Sequence, residues 1–142
     1  MVEDCVFCRI VAGEVEASIA YEDEATMAFM DIRQFHPGHT LIVPKRHIVD
    51  IFGLDEATGS AVMGAVAHVA RAVRDVFAPD GVNIWQSTGV AAGQEVLHLH
   101  VHVLPRWNDD ALLRFYPSRA GYPPRADLDQ QAAKLHAACE GR

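Results

Sequence analysis

From Leu97 to Val103 the chain alternates apolar residues with His98, His100 and His102. No other feature constrains the fold as much. In a β-strand, side chains at i, i+2 and i+4 share a face, about 6.5–7 Å apart. A strand over Val96–Leu104 therefore lines one face with histidines. Its other face, Leu97, Leu99, Val101 and Val103, must pack against a core. Three imidazoles in such a strand carry a desolvation cost unless each has a partner. Three uses follow. The histidines could bind a metal, one could be a nucleophile oriented by another, or the roles could be divided. A metal on all three leaves the Cys5-x-x-Cys8 pair unexplained, so divided roles account for more of the sequence.

The rest of the chain supplies a frame for that strand. A short helix over residues 5–12 is stopped by Gly13. Ser18–Tyr21 and Thr26–Met30 read as strands around an acidic turn, and His39–Val43 as a third, closed by Pro44. Val62, Val66, Val69, Val73 and Phe77 form one apolar stripe, which predicts a helix from Asp55, its N-cap, to about Phe77, ended by Pro79 and Gly81. Val82–Ser87 is a further strand. Arg106–Pro124 is irregular. Asp127 and Gln130 resemble a capping box opening a last helix on Leu128, Ala132, Leu135 and Cys139. About five strands and two main helices, without βαβ alternation, predict an α+β fold with an antiparallel sheet. At 142 residues, one domain is expected, 1–142, with a motif-bearing core over 5–107 and an irregular segment and helix over 108–142.

Charge and cysteine usage narrow the function. Twelve basic against 19 acidic residues give a net charge of −7, which argues against nucleic-acid or anionic-membrane partners. No apolar run reaches the roughly 18 residues of a membrane span, and the acidic N-terminus is not a secretory signal. Three cysteines make no disulfide framework. A reducing compartment, the cytoplasm, is expected, with Cys139 read as a buried small side chain. Cys5 and Cys8 then suggest a metal site or a redox pair. His47 follows a strand and His98 opens the histidine run, so Cys5, Cys8, His47 and His98 would make a closed tetrahedral zinc site. Such a site stabilises and does not activate water. The small-residue loop Gly89–Gln94 enters the histidine strand, and its backbone N–H groups could cradle a phosphate, with the Gln94 amide as a further donor.

These residues carry a resemblance. Gly93-Gln94-Glu95-Val96 followed by His98-Leu99-His100-Val101-His102-Val103-Leu104 resembles the signature of the histidine triad (HIT) superfamily. The runs Cys5–Gly13, Ala28–Ile32 and Pro37–His47 match it in order, and the zinc-containing bacterial Hint-like branch is the nearest in character. The resemblance implies a homodimer joining two five-stranded sheets, and a purine nucleotide as substrate. It implies His100 as the nucleophile forming a nucleotidyl-histidine intermediate. His102 would contact the phosphate and leaving group. Asp31 would bind the ribose, with Phe29 and Ile32 as the base wall and Gly93, Gln94, Glu95 and Val96 as the phosphate loop. Structural zinc, one per subunit, falls on Cys5, Cys8, His47 and His98. Two positions depart from the pattern. Glu95 stands where the phosphoramidase branch often has Ser or Thr, and Ser87 where relatives carry Asn or Gln. His39 is read as a structural neighbour of the triad. The leading function is a nucleoside phosphoramidase-like nucleotide hydrolase or transferase. The alternatives are a dinucleoside polyphosphate hydrolase or phosphorylase, a non-catalytic nucleotide-binding interaction protein, and a metallohydrolase with zinc on the three histidines.

Overall fold

A computed structural model of the chain describes residues 4–112 and 121–141. The chain divides into two compact units, Met1–Asp110 and Ala111–Arg142. The first holds helix α1 (Val6–Val11), strands β1 (Ile19–Glu22), β2 (Thr26–Met30) and β3 (Thr40–Pro44), helix α2 (Glu56–Phe77), and strands β4 (Gly81–Trp85) and β5 (Val101–Arg106). The strands form one sheet in the order β1-β2-β3-β5-β4, and every neighbouring pair is antiparallel. This is the expected α+β architecture.

The central strands β2 and β3 are buried on both faces, and the two faces of the sheet have different covers. On one, the α2 stripe Val62, Val66, Val69 and Val73 packs with Ala28, Ile42, Val101 and Val103. On the other, Cys5, Phe7 and Cys8 pack with Met27, Phe29, Leu41 and Val43. The period-two alternation of β2 and β3 sends successive side chains to opposite covers. Asp55 caps α2 as expected, its Oδ1 accepting from the Thr58 N–H at 3.0 Å. The helix ends at Ala78, in left-handed geometry (φ 45°), one residue before Pro79.

Two expectations change. The histidine run does not enter the ladder at Val96: β5 begins at Val101, and only His102 of the three histidines lies within it. The backbone before it pairs with a loop instead, the Leu99 N–H donating to the Ile48 carbonyl at 2.6 Å. Leu97 consequently faces solvent, 57% exposed, while Leu99 is buried.

The second unit contains α3 (Arg125–Glu140), which starts after Pro124 rather than at the Asp127–Gln130 box. Asp127 lies in its first turn, where a carboxylate suits the helix dipole. None of its residues is buried, and Cys139 is exposed. The buried reading of Cys139 is therefore wrong, because no described residue of that unit covers the stripe. Residues 113–120 of the irregular segment lie outside the described residues. Among the described residues no helix is long and apolar enough to cross a membrane.

Candidate functional site

Two clusters lie on the α1 side of the sheet. The first is built by the N-terminus of α1. Cys5 is the helix N-cap, its sulfur accepting from the Cys8 N–H at 3.5 Å, so the C-x-x-C spacing turns both sulfurs to one end of the helix. Cys5 Sγ is 3.4 Å from His98 Nδ1. Cys8 Sγ is 3.3 Å from His47 Nδ1 and 3.7 Å from His98 Nδ1. All four ligand atoms lie within 4.8 Å of one another. Tetrahedral zinc with Zn–S near 2.3 Å and Zn–N near 2.05 Å separates S from N by about 3.6 Å, so the donor set fits that ion. The outer shell fits as well. His98 Nε2 donates to the Pro44 carbonyl at 2.9 Å, which leaves Nδ1 with the lone pair. Burial holds His98 below the usual imidazole range and pushes the Cys5 thiol up. A bound cation would reverse the thiol's preference.

The second cluster belongs to His100 and His102. The His100 Nδ1–H donates to the His98 carbonyl at 2.7 Å. A carbonyl only accepts, so Nε2 is the nitrogen with the free lone pair. The Phe7 ring packs edge-on against both His100 and Phe29, with centroids 5.4 and 5.2 Å away. His102 pairs with Leu41 of β3 and Trp85 of β4 and stacks flat on the Trp85 ring at 4.2 Å. Its Nδ1 is 2.9 Å from His39 Nε2. Burial, then the neighbouring His100 and His39, push His102 down to about 3. The three imidazoles do not converge: none of the metal-capable groups among the described residues contains all three. That removes the geometric basis for a metallohydrolase on the triad.

His100 and His102 open into a cleft of about 700 Å³, a volume suited to a small organic ligand. Phe29, Asp31, Ile32, Gly93, Glu95 and Val96 line it, so six of the anticipated substrate residues are brought together. Ser87 and Gln94 are not among the lining residues. Gln94 is an internal brace. Its Oε1 accepts from the Gly89 N–H at 2.8 Å, and its Nε2 donates to the Val49 and Val96 carbonyls at 2.6 and 3.1 Å. With both amide protons engaged it has none for a phosphate, contrary to the expected role. The Gly93 and Gln94 N–H groups also bond within the loop. The Glu95 and Val96 N–H groups make no bond within the described residues, and these are the donors left for an anion. The Glu95 carboxylate is gripped by Arg33, with Nη2–Oε2 at 2.6 Å and Nη1–Oε1 at 3.3 Å, which neutralises it at the rim. Nothing in the sequence marks Arg33; only the fold carries it to Glu95. His39, read from the sequence as a structural neighbour of the triad, is buried beside His102.

A model of the HIT domain matches residues 12–109. The chain belongs to the HIT family. It is 43% identical to the Hit protein of Bacillus subtilis over 105 residues, 74% of this chain and 72% of that one. It is 31% identical to an adenylylsulfatase of Arabidopsis thaliana over 132 residues, 93% of this chain and 66% of the other. Among solved structures, a HIT family protein from Bacillus anthracis superposes with a TM-score of 0.90 at 34% identity, covering 97% of this chain and 99% of that one. A zinc-bound histidine triad family protein from Mycobacterium smegmatis gives 0.73 at 39% identity, covering 95% and 97%. A histidine triad nucleotide-binding protein from Candida albicans gives 0.86 at 26% identity, covering 97% and 99%. HIT proteins are nucleotide-binding and hydrolase-type proteins, and the Cys5, Cys8, His47 and His98 cluster is of a kind that could hold a metal.

Proposed function

We propose that this HIT protein is a nucleotide hydrolase or transferase acting on purine nucleoside phosphoramidates or related nucleotidyl compounds. The observation that carries this reading is the His100 imidazole. One nitrogen is tied to a backbone carbonyl, and the ring borders the cleft. The His100 lone pair attacks the α-phosphorus, forming a P–N bond as the bond to the leaving group breaks; an amine takes a proton from His102 or from the substrate and leaves neutral. Water then attacks the nucleotidyl-histidine, releasing the nucleoside monophosphate and restoring the imidazole. The Glu95 and Val96 N–H groups stabilise charge on the phosphoryl oxygens. His102, kept neutral, hydrogen-bonds phosphate or leaving group. Asp31 holds the ribose, and Phe29 and Ile32 flank the base. Gly93 provides the left-handed backbone (φ 90°) that turns the loop.

Zinc on Cys5, Cys8, His47 and His98 is structural in this proposal. Its effect on chemistry is positional: His98, held by the metal, presents the carbonyl that fixes the His100 tautomer. A reducing compartment, the cytoplasm, suits a site that needs free thiolates. The dimer would join sheets through β1 or β4, the outer strands of the sheet. The alternative, a dinucleoside polyphosphate hydrolase or phosphorylase, shares the nucleophile.

The deciding experiment reacts labelled adenosine phosphoramidate and diadenosine polyphosphate with the protein, quenches it, and locates the label. Label on His100, lost in His100→Asn while AMP still binds, is the expected result. Near-normal turnover by His100→Asn would end the mechanism. The preferred of the two substrates separates the two leaving groups.

A further inference from the structure

Asp31, His39 and His102 bring three ligand-type atoms to one point, away from the cysteines. All three lie within 4.8 Å of each other. His39 Nε2 is 2.9 Å from His102 Nδ1. Asp31 Oδ2 is 3.6 Å from the former and 3.9 Å from the latter. A hydrogen bond accounts for the first distance. Neither carboxylate distance is a hydrogen bond, so Oδ2 is aimed at two imidazoles and satisfied by neither. We propose that Asp31, His39 and His102 form a second metal site, for a zinc-like divalent transition cation, distinct from the cysteine cluster.

The triangle has the right size. A tetrahedral ion with bonds of 2.0–2.1 Å keeps its N and O ligands about 3.3–3.4 Å apart, inside the observed range of 2.9–3.9 Å. Shifts of about half an ångström complete it. Each ligand is held from behind. Asp31 Oδ1 accepts from the Arg33 N–H at 2.8 Å, which leaves Oδ2 for the ion. His102 is clamped on Trp85. His39 is 1% exposed and stacks on Phe35 at 5.5 Å. On that side packing alone places its ring, because its Nδ1 has no hydrogen-bond partner. Asp31 and His102 border the cleft, from which water can fill a fourth position. Two imidazoles and one carboxylate, with no thiolate, suit Zn²⁺, Co²⁺ or Ni²⁺, whereas Mg²⁺ and Ca²⁺ want all-oxygen shells. The site shares Asp31 and His102 with the substrate contacts proposed above, so a cation and a nucleotide would compete for them, and its test reads metal alone, without substrate.

The test loads the cysteine cluster with one equivalent of Zn²⁺ and then titrates Co²⁺. One further equivalent should bind, with visible cobalt absorption but no thiolate-to-cobalt charge-transfer band. Asp31→Asn and His39→Gln should each weaken that uptake by about tenfold or more while retaining the first zinc, which shows that they are folded. Three results overturn the proposal: no second equivalent, uptake undiminished in both variants, or thiolate bands showing that cobalt has replaced the first zinc.

Discussion

Replacing Gly38 by Ala tests how the fold places His39. Gly38 lies in the turn from His36 to His39, closed by the His39 N–H donating to the His36 carbonyl at 3.1 Å. Pro37 precedes it, and its φ is +98°, the arrangement of a type II turn. A side chain at this φ costs about 1–2 kcal/mol. The new Cβ would also stand 2.9 Å from two carbons of the Phe77 ring and 3.2 Å from a third, and overpacking of this kind costs about 1–3 kcal/mol. The expected loss is therefore about 2–5 kcal/mol. In a Phe77→Ala background the ring is gone, and only the backbone cost of about 1–2 kcal/mol remains. Urea unfolding of the four proteins of this cycle, zinc-saturated and compared at constant m, measures both terms. A loss below about 0.5 kcal/mol would refute the backbone argument. Equal losses in the two backgrounds would refute the contact with Phe77.

Three further outcomes are expected. The Cys5→Ser, Cys8→Ser double variant should purify without zinc and unfold several kcal/mol more easily, since metal binding adds to folding free energy; undiminished zinc by elemental analysis would refute the site. Because His102 is held near 3 when folded and titrates near 6.5 when unfolded, the unfolded state binds more protons between those values. Stability should fall as pH drops from about 6.5 towards 3, by up to about 1.4 kcal/mol per pH unit, and His102→Asn should flatten the slope seen in urea unfolding between pH 4 and 6; an unchanged slope would refute the burial argument. Glu95→Ser removes an exposed ion pair (side chains 72% and 65% exposed), so it should cost less than about 1 kcal/mol of stability. By freeing Arg33 it should lower KM for adenylyl substrates with anionic leaving groups and leave that for phosphoramidates unchanged; a KM unmoved for both would remove Arg33 from the site.

What the sequence makes legible is side-chain periodicity and ligand spacing. The α2 stripe, the Asp55 cap and the limits of β2 can be read because they depend on residues close in the chain. Of the four metal-type ligands, Cys5 and Cys8 can be read because C-x-x-C is a local chelating pattern, whereas His47 and His98 lie far from them in the chain and are read from their places beside strands and from the family resemblance. Ladder membership is different, because it depends on which backbone lies alongside. Alternation continues through Leu99 and His100, yet their backbone leaves the sheet, with Leu99 bonded to Ile48. Donor availability is hidden for the same reason. Gln94 looks free in sequence and is consumed by Val49 and Val96, while Arg33 and His39 gain their partners only through sheet pairing and the Pro37-Gly38 turn.

The departure from the ladder is also what lets one short run of chain serve two centres. A regular strand would align His98, His100 and His102 on one face at equal spacing, with backbone groups bonded to neighbouring strands. In the bend before β5, His98 instead has three separate tethers. Its Nδ1 faces the cysteines, its Nε2 donates to Pro44, and its carbonyl accepts from His100. A carbonyl in ladder geometry would bond a neighbouring strand and would not hold the imidazole two residues on. The metal-type cluster and the proposed nucleophile are thus joined through one residue's ring and backbone. Metal loss should therefore loosen the His100 tautomer even though no cysteine touches the cleft chemistry. His102, one residue into β5, is held by the ladder itself and meets His39 there, so bend and strand together carry the run to three sets of partners.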